Sequence, residues 1–308
     1  MAMLALMPAC GHAPDSQQAE VPRTSPHATA TALQDTAASL PLRLLADANG
    51  ARKFVLIGEM HGTREIPALV AEFVEHVARR HGSRGQQPII LALEIASGDQ
   101  PDVDRYMDSN GTPADKAALL AGSHWQDAMH DGRDSRAMFD LIERMRQLSH
   151  AGNDVSIDLF DEAGEGTRDK RMADHLRKVV RDSPGATVLV LAGNVHAMTA
   201  EPPWKVFDGG KQIKLPMTVG RYLVDLHPLS INIDAAGGEA WSCMGRECKP
   251  HAMPTRRSPP VATLEFHGAS ESAWDATLTL PVFTASLPAL DGNTGWRNTT
   301  GRRQGRSQ

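Results

Sequence analysis

Three features of this sequence predict an α/β fold with a central, largely parallel sheet flanked by helices and additional strands in the C-terminal portion. Four short, unbroken apolar runs are spaced along its first two thirds. Between them lie segments whose apolar residues recur at helical spacing. Each run ends at a glycine or a carboxylate: Gly58, Glu94, Asp161 and Gly193. Strands buried on both faces read as continuous apolar runs rather than as alternation. Strand–helix–strand order then means parallel strands joined by crossovers.

The first run is Phe54 to Ile57, and Ile66, Leu69, Val70, Phe73, Val74 and Val77 form the helical face after it. Pro88 to Leu93 is the second run. Residues 111–133 carry no such run and are expected to form extra helices over the sheet edge or mouth. A helix follows on Met138, Leu141, Ile142 and Met145, then a strand over Val155 to Phe160. Met172, Leu176, Val179 and Val180 mark the next helix, and Thr187 to Ala192 the fourth strand. Beyond Pro216, the stretches Thr218 to Leu226, Leu229 to Ile233 and Ala276 to Leu280 read as later strands with Pro- and Gly-rich connections. Residues 33–285 are therefore expected to form one domain.

The chain has 308 residues, 41% hydrophobic and 22% charged, enough to bury a sizeable core. A net charge of −5 gives no sign of a nucleic-acid partner. The Arg-rich end reads as part of a tail over 286–308. No apolar run reaches the roughly 18 residues of a membrane helix. Met1 to Ala9 is apolar and small-residue-rich, and Cys10 follows directly. This is like a truncated lipoprotein signal, with Cys10 as the lipidation site, and residues up to 32 form a polar tether. The expectation is of an exported protein, periplasmic or attached to the outer membrane through Cys10. Cys243 and Cys248, with Gly245 between, suit a short disulfide loop in an oxidising compartment; a metal clip with His251 is the alternative.

Ligands of parallel sheets bind at the carboxyl ends of strands. There this sequence places Gly58-Glu59-Met60-His61, then Glu94, then Asp161-Glu162, then Gly193-Asn194-Val195-His196. Extended geometry would put Glu59 and His61 on one face, and likewise Asn194 and His196. Imidazoles beside carboxylates suit a divalent metal, and equally suit general acid–base chemistry. Glu94 is singled out because its apolar run would otherwise bury an unpaired charge. Arg168 opens a helix, where the dipole disfavours a cation, so a carboxylate or anionic substrate partner is expected.

Together GEMHGT, Glu94, RDKRMA and LAGNVHA resemble the superfamily of ChaN-like haem-binding proteins, erythromycin esterases, TraB proteins and Tiki metalloproteases, and ChaN-like domains most of all. The likeness covers roughly Phe54 to Met198. It implies a site of Glu59, His61, Glu94, Arg168 and His196, with Asn194 beside them. It implies haem or a divalent metal as cofactor, the metal held by Glu59, His61, Glu94 and His196, and haem or a small-molecule substrate as partner, with a role in iron acquisition. The alternative is a metal-assisted esterase or peptidase in which Glu59 or Glu94 is the general base. Glu201-Pro-Pro-Trp204 and the Cys loop depart from the ChaN pattern.

Overall fold

The computed structural model describes residues 53–82, 87–127, 129–208, 211–244, 247–256, 261–268 and 270–290. The lipidation and tether expectations fall outside them.

Seven strands form the main sheet. β1 (Phe54–Glu59) pairs in parallel with β4 (Thr187–Gly193) on one side and β7 (Leu229–Ala235) on the other. Beyond β4 come β2 (Ile89–Ala96) and then β3 (Val155–Asp161), both parallel. Of the remaining strands, β5 (Val206–Asp208) and β6 (Lys211–Ile213) form one separate hairpin, and β8 (Glu239–Met244) and β9 (Glu247–Ala252) another. On the far side of β7 lies β11 (Ala276–Leu280), parallel to it, and the edge strand β10 (Thr263–Phe266) is antiparallel.

A period of two decides which face each strand residue serves. Val55, Ile57, Leu91, Leu93, Leu189 and Leu191 enter one core, under α1 (Glu65–Gly82) and α4 (Arg136–His150). Phe54, Leu56, Ile90, Ala92, Val188 and Val190 enter the other, under α5 (Arg168–Asp182). Residues of α2 (Gln100–Met107) and α3 (Pro113–Leu120) also join the first core. The Cys243–Cys248 disulfide closes the β8–β9 hairpin, where the two residues are directly paired.

Three expectations are corrected. Residues 218–226 are no strand but the short helix α6 (Val219–Tyr222) and a 3₁₀ turn, because the Thr218 hydroxyl caps the Arg221 N–H. Glu94 lies inside β2 rather than after it. Order also continues past 285: Ser286 N–H donates to Gly62 O (2.8 Å), Ala289 N–H to Asp134 O (2.9 Å), and Ser286 and Ala289 are buried.

Candidate active site

Consecutive strands of the sheet, in the order β1, β4, β2 and β3, carry Glu59, Gly193, Glu94 and Asp161 at or near their carboxyl ends. The register of β2 against β3 shifts between Leu93 and Ala96, spending three residues where β3 spends two. Such a bulge re-aims the side chains beside it. Glu94, aligned with Ala92 on the α5 face, is buried there and meets the first residue of α5.

Arg168 joins four elements. Its Nη2 donates to Glu94 Oε1 (2.7 Å) and Asp161 Oδ2 (2.7 Å), its Nε to Asp161 Oδ1 (3.0 Å), and its Nη1 to His196 Nε2 (3.0 Å). Since the guanidinium can only donate, His196 Nε2 must accept and hold its lone pair. The remaining proton of that ring sits on Nδ1, which donates to Asp169 Oδ1 (2.8 Å). Asp169 stands in the first turn of α5, where the helix dipole favours its charge, and also accepts the Val219 N–H (3.0 Å). His196 thus presents Nε2 as an acceptor toward Arg168 and Nδ1 as a donor toward Asp169.

His61 is held in its charged form. Its Nδ1–H donates to Glu59 Oε1 (3.0 Å), and its Nε2 lies 3.8 Å from Glu94 Oε2. Burial pulls its pKa down and Arg133 opposes the charge, but Glu59, by charge and hydrogen bond, and Glu94 together raise it to about 9. Glu94 itself is held at about 2: burial would raise it, but His61, His196, Arg168 and the Gly193 N–H (2.7 Å to Oε2) outweigh that. Carboxylates so stabilised are poor bases. Glu59, the other candidate base, is committed to His61.

Space at the mouth is kept by a glycine. A Cβ on Gly193 would lie 3.0 Å from His61 Nε2, 3.4 Å from His196 Cδ2 and 3.5 Å from Glu94 Oε2. Gly58 serves close approach as well, since its Cβ would meet Asn194 Cα at 2.9 Å. Asn194 takes part through its backbone, donating to Glu59 O (2.9 Å) and accepting from Trp274 Nε1 (2.9 Å). It lies in a turn with His196, so the two do not share an extended face.

Sequence reasoning did not place Asp169, Arg133 or Asp131 in the site. Asp169 is adjacent to Arg168 and could have been read as its companion; Arg133 carries no local signal. It is clamped by Asp131 (Nη2–Oδ2 2.7 Å) and reaches 3.5 Å from both Glu94 Oε1 and Asp161 Oδ2.

The donor set does not fit the metal that the resemblance implies. Both oxygens of Glu94 and Nε2 of His196 already accept hydrogen bonds, from Arg168 and the Gly193 N–H. Among the described residues no group of three His, Cys, Asp or Glu is arranged to hold a metal ion. Haem does not fit either. It needs an apolar face around an open axial ligand, whereas these imidazoles are bordered by Glu59, Glu94, Asp169, Arg133 and Arg168.

No family model matches the chain, and no curated protein sequence does. Solved structures do. A succinoglycan biosynthesis protein superposes with a TM-score of 0.54 at 10% identity, over 85% of this chain and 98% of that one. The fold is shared with it. An erythromycin esterase variant in its open conformation gives 0.48 at 11%, over 80% and 97%. The haem-binding ChaN of Campylobacter jejuni gives 0.41 at 11%, over 77% and 90%.

Proposed function

We propose that this chain is a hydrolase of small-molecule esters that works by proton transfer between two carboxylate–imidazole pairs, with no metal among its own working parts. The observation that carries this is a pair of imidazoles flanking one carboxylate: His61 and His196 each lie 3.8 Å from an oxygen of the same Glu94, His61 with its pKa raised to about 9 and His196 with Nε2 turned toward the Arg168 guanidinium as an acceptor. A proton-holding ring and an accepting ring at one mouth are what an acid and a base of a reaction require.

Arg168 Nη1–H covers the His196 lone pair. A substrate oxygen that gathers negative charge draws the guanidinium toward itself, and Nε2 then takes a proton from water. The hydroxide adds to the ester carbonyl, and Arg168 steadies the resulting oxyanion. As the intermediate collapses, the alkoxide leaves with the Nε2 proton of His61; His196 then loses its added proton to water and His61 regains one from water, which restores both rings. Glu94 remains an anchor, neither acid nor base. The Cys243–Cys248 bond supports the reading of an exported protein, since such bonds persist in oxidising compartments.

The test is turnover of 4-nitrophenyl acetate and butyrate across pH. The expectation is a bell-shaped kcat/KM with its alkaline limb near the His61 pKa of about 9, unaffected by chelators. His61→Asn and His196→Asn should each lower kcat by roughly 10²–10⁴-fold. Loss of activity on chelation, or wild-type rates in both variants, rejects the reading.

A further inference from the structure

His61 and Arg133 sit on loops, and each has a neighbouring glycine in the left-handed region. Gly62, next to His61, has φ 72°, and Gly132, next to Arg133, has φ 101°. Both glycines press against one residue of the disulfide-closed hairpin. A Cβ on Gly62 would lie 2.1 Å from Trp241 O, and a Cβ on Gly132 would lie 2.6 Å from Gly62 N and 3.0 Å from Trp241 O. Trp241 N–H donates to Gly62 O (2.9 Å), and its indole Nε1–H donates to His130 O (2.8 Å). Two residues on, Cys243 is bonded to Cys248 across the hairpin.

We propose that the β8–β9 hairpin is a brace for the candidate site, with Trp241 as the positioning residue that fixes the His61 loop and the Arg133 loop at once. The proposal rests on the site reading above, because it assigns Trp241 no contact with a substrate. The Trp241 backbone bond, on a carbonyl that also accepts from the Ser286 N–H, holds Gly62 and with it the height of His61 over Gly193. One indole bond sets His130, three residues before Arg133. The disulfide keeps β8 in register, so that both bonds come from a strand that cannot slide. A hairpin of two short strands is marginal by itself, so a covalent tie has a physical reason here.

The charged groups facing His61 are Glu59, Glu94, Arg133 and Asp131. Of these, only Arg133 and Asp131 ride on the loop that Trp241 holds. This gives a readout that needs no substrate. Trp241→Phe keeps the ring and the backbone bond but deletes the indole bond, and the released loop withdraws the opposing guanidinium from His61. The His61 imidazole midpoint, followed by NMR on the full chain, should rise by about half a unit. With 4-nitrophenyl acetate, kcat should fall about tenfold while KM stays within twofold, the mark of lost positioning. Should Trp241→Phe fail to fold, Cys243→Ser/Cys248→Ser supplies the same readout, with a smaller rise expected.

A folded Trp241→Phe protein with the wild-type midpoint overturns the brace, as does an unmoved midpoint in the double serine variant if that is the one that folds. A raised midpoint in a protein that turns over no ester leaves the brace standing and removes the hydrolase reading instead.

Discussion

The chemistry turns on single atoms, and Gly193 shows this most directly. Its missing Cβ is the space between two imidazoles and a carboxylate. Its φ is not in the left-handed region, so alanine meets no backbone strain there. Gly193→Ala is therefore expected to fold, with a melting temperature within a few degrees of wild type, and to lose ester turnover by at least about tenfold. Arg168 is the opposite case, because it holds structure and site together. Arg168→Met removes the nearest charged partner of the buried Glu94, which keeps the Gly193 N–H and the more distant Arg133, and should cost roughly 1–3 kcal/mol in denaturant unfolding. Arg168→Lys should recover little of this, since a point charge cannot span Glu94, Asp161 and His196 in the way a planar fork does. Glu59→Gln removes the main support of the His61 proton, so its NMR midpoint should fall below about 9.

At the scale of elements, the long buried strands were legible because a run such as Leu189 to Leu191 has no solvated face to alternate with. Helices with a full apolar stripe, α1, α4 and α5, were equally plain. Failures had physical causes. The segment around Val219 has the β-branched composition of a strand, but a capping Thr218 wins locally. α2 is largely polar and buries only Val103, Tyr106 and Met107, too few to mark a period. The β8–β9 strands mix exposed and half-buried residues, and only their cysteines showed. In the site, Glu59, His61, Glu94 and His196 stood beside glycines or inside an apolar run that made them conspicuous. Arg133 and Trp241 did not, because long-range packing alone brings them there. Gly62→Ala tests the hairpin contact at this scale. With φ 72° and a Cβ 2.1 Å from Trp241 O, it should be destabilised by several kcal/mol in denaturant unfolding, where an exposed Gly98→Ala should be near neutral.

For the whole molecule, the pKa shifts give stability a direction with pH. His61 is raised from 6.5 to about 9 on folding, and His175, bonded to both Asp158 and Glu162 with burial opposing, is raised as well. A group raised on folding contributes fully below its unfolded value and loses that contribution as pH climbs through the folded one. The melting temperature should thus decline between about pH 6.5 and 9.5. The His61 part is at most roughly 3 kcal/mol before solvent screening, since its side chain is a quarter exposed. Glu59→Gln should flatten much of that decline in a series of calorimetric scans; an equally steep decline in that variant counts against the His61–Glu59 pairing.

Strand order has a consequence for how such a protein comes into being. β4 lies between β1 and β2, although both precede it in the chain. A growing or threading polypeptide thus carries Glu59 and Glu94 for about a hundred residues with an empty lane between them. Only the arrival of Leu189 to Gly193 in that lane gives Glu94 the amide it leans on. The candidate site is in this sense a late birth, withheld until Gly193 has taken its place beside Glu94.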